Sequence, residues 1–242
     1  MAGVIGVAGL AIEARIAAGL FTHAICSGHG STLAESLAST IGQDCCGLIS
    51  IGVAGGLSPD LPTGTCIVGS TIVSETIQLG TDRTWSQALL RLIPDAIYGA
   101  IAGATTIVAH PEAKRALHMS TGALAVDSES HVVASFAAAR GLPMAAVRVI
   151  MDPAARELPA AALAAVRTNG TIDLAALFRS IMRQPGELPL LFRTALDAAI
   201  GFTALLRCRR LLGPGLGLPS LRVGGLKQSP SVEIPICGLD DP

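Results

Sequence analysis

Aromatic side chains are nearly missing from this chain: five Phe, one Tyr and one Trp make up 3% of 242 residues. Half of the residues are hydrophobic, so the core must be built from Ala, Val, Leu and Ile. Such material suits a parallel sheet whose strands are buried on both faces by helices. A charge of one sign is missing too. Seventeen basic residues stand against 18 acidic ones, a formal net charge of -1. No long-range field gathers a polyanion, which excludes nucleic acid as a partner and makes any anion binding local.

The six cysteines, Cys26, Cys45, Cys46, Cys66, Cys208 and Cys237, contain no Cys-x-x-Cys pair. Adjacent Cys45 and Cys46 suit neither a zinc site nor an ordinary disulfide framework. They read as reduced, inert thiols of a cytoplasmic protein. The histidines, His23, His29, His110, His118 and His131, offer no His-x-x-x-His pair backed by a carboxylate, so no metal site is expected. No uninterrupted apolar run approaches the ~20 residues a membrane span needs. The apolar stretch 1–10 lacks a basic leader and meets Glu13 and Arg15 early, so it reads as a first strand and helix rather than a signal peptide.

The length suffices for one substantial α/β domain. Apolar, β-branched runs predict strands at 4–8, 22–26, 48–51, 65–74, 97–102, 124–126 and 144–150. Helical patterns fill 11–18, a stretch from 31, and 84–92, 111–119 and 131–140, then 160–166, 174–182 and 188–210. Their alternation predicts a single-domain α/β fold, a mostly parallel mixed sheet flanked by helices, with a helical C-terminal region. From 211 the chain turns to Gly-Pro-Gly-Leu-Gly-Leu-Pro and further prolines. Residues 211–242 are expected to be a low-complexity, poorly ordered tail behind a domain of 1–210.

Three stretches combine features of a ligand site. They are Gly52-Val53-Ala54-Gly55-Gly56-Leu57, Ala125-Val126-Asp127-Ser128-Glu129-Ser130 and Arg148-Val149-Ile150-Met151-Asp152. Each follows a buried strand pattern, which places a glycine loop and two carboxylates at the carboxyl ends of strands, where open parallel sheets bind ligands. Glycine lets backbone approach a ligand closely. Ser27-Gly28-His29-Gly30-Ser31 leads into a helix N-terminus whose free amides suit an anion or a sugar oxygen.

Cleaving a purine N-glycosidic bond needs an acid at the departing base, a negative group near the sugar and a nucleophile on the opposite face. Asp152, flanked by Met151 and Pro153, sits where partial desolvation raises its pKa. Glu129, at a helix start, is expected to stay ionised and to accept from two ribose hydroxyls. Either acid alone reads equally well as a turn former or a helix cap. Arg148 reads as an internal ion pair at its strand.

The combination resembles the superfamily of purine nucleoside phosphorylases and methylthioadenosine/S-adenosylhomocysteine nucleosidases. Gly52 to Leu57 looks like its Gly-x-Ala-Gly-Gly-Leu strand-loop, and Val126-Asp127-Ser128-Glu129 like its ribose-binding segment. Arg148 to Asp152 is similar to its Arg-x-Ile-Ser-Asp, whose aspartate gives a proton to the purine. Within it, Glu129-Ser130-His131, Asp152-Pro153-Ala154, the stretch 158–163 and Gly170-Thr171-Ile172-Asp173-Leu174 resemble the hopanoid-associated phosphorylase group. The resemblance implies release of adenine from adenosylhopane in hopanoid synthesis, with a methylthioadenosine/S-adenosylhomocysteine-type nucleosidase or a catalytically impaired nucleoside-binding homologue as the alternatives, and a homo-oligomer. A lipid tail on the nucleoside would imply transient contact with a membrane surface.

By that resemblance Gly28, Gly30, Ala54, Gly55 and Gly56 shape the sugar or phosphate pocket, Thr106 and Ile107 line the adenine pocket, and Ser128 faces the ribose. Ser128 replaces the usual methionine, Met151 the usual serine, and Ala104 an aspartate near the base. Glu13 is the candidate for activating water, though an ungapped match leaves it one position out of register. No cofactor is implied, and inorganic phosphate is the alternative co-substrate to water. Its usual arginine is missing from Gly9-Leu10-Ala11-Ile12-Glu13, which leaves Arg15 and Arg83 as substitutes.

Overall fold

A computed structural model describes residues 3–18, 23–26, 30–42, 44–165, 167, 170, 171, 173–183 and 185–219. Strands and helices alternate as β1 (Gly3–Ala8), α1 (Ala11–Ala17), β2 (His23–Cys26), α2 (Gly30–Thr40), β3 (Cys45–Gly56) and β4 (Cys66–Val73). They continue as β5 (Gln78–Gly80), α3 (Arg83–Leu92), β6 (Ile97–Gly103), α4 (Pro111–Thr121), β7 (Ala125–Asp127), α5 (Ser130–Arg140) and β8 (Met144–Asp152). Three helices follow, α6 (Ala160–Ala165), α7 (Leu174–Arg183) and α8 (Leu188–Leu212).

The eight strands form one mixed sheet in the order β2-β1-β3-β7-β6-β4-β5, with β8 pairing both β3 and β4. Its β1–β2, β1–β3, β3–β8, β4–β6 and β6–β7 pairings are parallel, while β3–β7, β4–β5 and β4–β8 are antiparallel. The pairings β3–β8–β4–β6–β7–β3 close a ring, whereas the strand pattern suggests an open sheet. Ring closure depends on antiparallel contacts between strands far apart in sequence, which local patterns do not carry.

Side chains alternate across the sheet with the two-residue period of a strand. Ile49, Ile51 and Val53 of β3 and Val147 and Val149 of β8 pack on α1, α3 and α8 through Ala17, Trp85, Leu89, Leu205 and Leu212. Leu48 and Ala54, with Ala146 and Ile150, pack on the other side against Leu33 and Leu37 of α2 and Val133 and Ala137 of α5. Arg148 and Ser50 have the parity of this second side and are fully buried there. Two polar residues at core positions need partners; Arg148 Nη2 donates to Ser50 Oγ at 2.6 Å and Arg148 Nε pairs with Asp127.

Helix ends follow their sequence signals. Asp82 caps α3 by accepting from Trp85 N at 2.8 Å, Pro111 opens α4, and Gly141 closes α5 at φ 64°. The tail boundary expected at 211 is corrected. Helix α8 runs to Leu212, Leu216 is fully buried in the core, and Trp85 Nε1 donates to Leu216 O at 3.0 Å. Leu212 and Leu216 are the apolar partners that the glycines and prolines around them obscure. Residues 220–242 lie outside the described residues. Helix α8 with the turn before it, 185–212, is long and apolar enough to cross a membrane by length and composition. One face of it, from Asp197 to Leu212, is nevertheless packed on the domain.

Candidate active site

The stretch read as a glycine loop is the end of strand β3. Gly52 pairs with Arg148 and Ala54 with Ile150, and after a register shift Gly55 pairs with Asp152. On the other edge Gly55 and Gly56 pair with Val126 and Ala125 of β7. The glycines are needed for close approach rather than for a turn. A Cβ on Gly52 would lie 2.6 Å from Arg148 Nη1 and 2.7 Å from Glu13 Oε1. One on Gly9 would run into the Glu129 carboxylate.

Arg148 holds the carboxylates of the site. Its Nε pairs with Asp127, and its Nη2 donates to Glu129 Oε2 at 3.2 Å and to Ser50 Oγ at 2.6 Å. Burial disfavours the guanidinium charge, but Asp127, Glu129 and Glu13 outweigh burial and hold it above its ordinary pKa. The ion pair expected at this strand therefore also orients Glu129. Asp127 caps α5 by accepting from Ser130 N at 2.9 Å and Glu129 N at 3.2 Å. Glu129 makes no capping bond, so the helix-cap reading of that residue is overturned and its carboxylate is turned to the cleft. Ser128 Oγ donates to Glu129 Oε1, a bond that methionine at this position would not make.

Glu13 lies on α1 and is 2% exposed. Its Oε2 accepts from Gly9 N at 3.0 Å and Leu10 N at 2.7 Å, and its Oε1 from Val53 N at 2.7 Å. A carboxylate has about four acceptor sites, so one remains for a further donor. Burial is the main cause raising its pKa to about 7, and Glu129 adds to it, while Arg148 and the Val53 and Leu10 amides oppose it. The one-position offset in the sequence match is no obstacle: the helix brings Glu13 to the cleft.

Asp152, at the end of β8, meets a residue that the sequence reading missed. Lys114 on α4 is fully buried, and its Nζ donates to Asp152 Oδ2, to Pro153 O at 3.1 Å and to Arg156 O at 2.8 Å. Burial raises the Asp152 carboxyl, opposed by the Lys114 and Arg156 charges. Burial also lowers Lys114, opposed by Asp152. Both groups are driven toward their neutral forms. A proton on Lys114 Nζ lies within hydrogen-bond reach of the Asp152 carboxyl.

One cleft of about 210 Å³ collects these groups. Glu13, Ala54, Gly55, Thr106, Ile107, Ser128, Glu129 and Asp152, all expected from the sequence, line it together with Gly9 and Asp127. Its outer wall comes from Leu158 in the loop before α6, Ala162 and Leu163 of α6, and Thr194 of α8. Gly56 is corrected: it faces Ile150 Cγ2, Pro153 and Ala154 at the end of β8 and does not line the cleft. Gly30 opens α2. Gly28 and His29 lie outside the described residues. Arg15 and Arg83 are exposed and do not line the cleft. Its described lining contains no cation, since Arg148 and Lys114 stand behind the carboxylates they pair with. Among the described residues, no group of three or more His, Cys, Asp and Glu is placed to hold a metal ion.

Three buried or nearly buried acids on one apolar cleft at the mouth of a ringed α/β sheet define a small-molecule site rather than a surface for macromolecules. Residues 16–183 match the Phosphorylase superfamily, and the chain belongs to that superfamily. Among solved structures, it resembles 5'-methylthioadenosine/S-adenosylhomocysteine nucleosidase from Neisseria meningitidis in complex with methylthio-immucillin-A. That likeness has 14% identity and a TM-score of 0.62, and covers 86% of this chain and 98% of that one. It also resembles the S. pneumoniae enzyme of the same name, bound to a transition-state inhibitor, at 15% identity and TM-score 0.59 over 87% and 99% of the chains. Futalosine hydrolase of Helicobacter pylori strain 26695 gives 17% identity and TM-score 0.56 over 86% and 98%. At these identities the likeness is one of fold. No curated protein matches the chain.

Proposed function

We propose that this protein hydrolyses the N-glycosidic bond of an adenine nucleoside whose 5′ substituent is large and apolar, adenosylhopane in particular. The reading makes it a cytoplasmic enzyme of hopanoid biosynthesis that releases adenine. The observation that carries it is the convergence of Glu13, Glu129 and Asp152 on one cleft. Each acid has an environment fitted to a different task. A proton on Lys114 Nζ can move onto the Asp152 carboxyl and from there to the purine as the bond to C1′ breaks. Glu129, fixed by Arg148 and Ser128, accepts from the ribose hydroxyls and stabilises the positive charge that develops on the sugar. Glu13 takes the proton of a water that attacks C1′ on the face away from the base. The products are adenine and the ribosyl compound.

Water is favoured over phosphate by charge. The cleft is lined by Glu13, Asp127, Glu129 and Asp152 and by no described cation. A phosphate dianion entering there meets like charges in a low-dielectric site, where repulsion costs most. The apolar wall of Leu158, Ala162 and Leu163 supports an apolar 5′ substituent over a polar one.

The test is release of free adenine from adenosylhopane, or an analogue with a shorter alkyl tail, followed by chromatography with and without phosphate. Release independent of phosphate is expected, with a higher kcat/KM than for 5′-methylthioadenosine. Asp152→Asn should lower kcat about 10²–10⁴-fold while binding changes little. Strict dependence on phosphate would refute the hydrolytic reading, and preference for the methylthio compound would refute the apolar substituent.

A further inference from the structure

Helix α7 buries none of its residues completely, and Leu174, Phe178 and Met182 lie four apart on one face. Helix α8 repeats the pattern with Leu188, Phe192, Leu196 and Ile200. These seven large apolar side chains are between 49% and 72% exposed. At about 100° per residue the α8 stripe is opposite the face of Asp197, Gly201, Leu205 and Leu212 that packs on the domain. A helix apolar on both sides is ordinarily buried on both. Scattered exposed leucines need no explanation, but an aligned row of large apolar side chains on each of two consecutive helices marks an interaction surface.

The charge around the stripe indicates its partner. Arg179, Arg183, Arg193, Arg207 and Arg210 are exposed on the same two helices. Six arginines against Glu187 and Asp197 give residues 174–212 a net charge of +4, in a chain whose total is -1. Asp197 is already committed, paired with Arg156 and accepting from Thr63 at 3.2 Å. A two-fold contact between copies would bring two patches of net charge +4 together, with Glu187 the one remaining acid of each to relieve the repulsion. An anionic lipid surface matches both features: apolar side chains enter the headgroup–acyl boundary while arginines remain among the headgroups.

We infer that the exposed faces of α7 and α8 form a docking surface for anionic membranes, so that the protein works at the bilayer surface without spanning it. Thr194 of α8, and Leu163 of the adjoining α6, also line the catalytic cleft. Helix α8 thus carries part of the cleft wall and one of the two exposed stripes. The inference deepens the reading of an apolar nucleoside substrate and rests on it for purpose: a lipid-tailed nucleoside would pass from the bilayer into the cleft along these helices.

The test uses the full chain with no nucleoside present, sedimented with vesicles of phosphatidylcholine alone or of equal parts phosphatidylcholine and phosphatidylglycerol. Co-sedimentation with the anionic vesicles, weakened by salt, is expected. Phe178→Ser and Phe192→Ser should each reduce the partition constant roughly tenfold or more, and Arg179→Gln and Arg183→Gln about fivefold each. All four variants should still release adenine from a soluble nucleoside, which shows that they fold. Absence of binding to anionic vesicles, or binding indifferent to the phenylalanine changes, would overturn the inference. So would a dimer dissolved by Phe192→Ser without vesicle binding, which would assign the surface to a second copy. If docking fails while soluble nucleoside is cleaved, the hydrolase reading stands alone. If docking holds without adenine release, the surface stands and the hydrolase reading falls.

Discussion

Replacing Glu13 by glutamine separates what this side chain does for the reaction from what it costs the fold. The carboxylate is buried, and its pKa rises from an ordinary 4.5 to about 7 chiefly because burial penalises its charge. For an acid whose folded pKa is raised, stability is fully present below the unfolded value. It is lost as pH rises through the interval from 4.5 to about 7. The full loss is about 3 kcal/mol. A glutamine carries no charge and would escape this loss. Its amide would leave at least one of the Gly9, Leu10 and Val53 N–H groups facing another donor, which costs about 1–3 kcal/mol at every pH.

Denaturant unfolding should therefore find Glu13→Gln less stable than wild type near pH 4.5 and equal or more stable at pH 8. The difference between the two proteins should move by roughly 3 kcal/mol across that range. In turnover the variant should lose about 10²–10⁴ in kcat, and the acidic limb of the pH–rate profile near 7 should disappear with it. A variant that keeps kcat within a few-fold, or a stability difference that does not change with pH, would refute the role assigned to Glu13.

Lys114→Met should leave Asp152 as a buried carboxylate without its cation. A loss of about 3–5 kcal/mol is expected at alkaline pH, shrinking as pH falls and Asp152 takes up a proton, which thermal unfolding at several pH values would show. The same change removes the charge that opposes the raised Asp152 carboxyl, so any residual activity should keep its protonated acid to higher pH in a pH–rate profile. Gly52→Ala places a methyl group 2.6 Å from Arg148 Nη1 and should cost about 1–3 kcal/mol in chemical denaturation. It should also lower kcat by displacing Glu13.

Much of this site is legible in the sequence because its acids end strands whose apolar runs are unambiguous. Asp152 follows the run 144–150, and Glu129 follows a short strand and opens a helix signalled by Gly141. Lys114 was not legible. It sits in an ordinary helix beginning Pro-Glu-Ala-Lys, and only tertiary folding brings it to a carboxylate 38 positions away. The glycines of β3 were legible as close-approach positions but not as strand, because glycine weakens strand propensity and here serves the bulk of Arg148 and Glu13. Strand β5 is too short to carry a pattern, because Gln78–Gly80 is three residues long on a sheet edge. The order of residues 211–219 escaped for the opposite reason: turn-forming residues there flank Leu212 and Leu216, whose burial depends on distant Trp85.

The most direct measurement is a crystal structure with an adenine nucleoside transition-state analogue bound. The account predicts the purine against Asp152 and Lys114, both ribose hydroxyls on Glu129, and Glu13 holding a water on the far side of C1′. An analogue bound elsewhere, or bound in the cleft with Asp152 and Glu13 on the same side of the sugar, would contradict it.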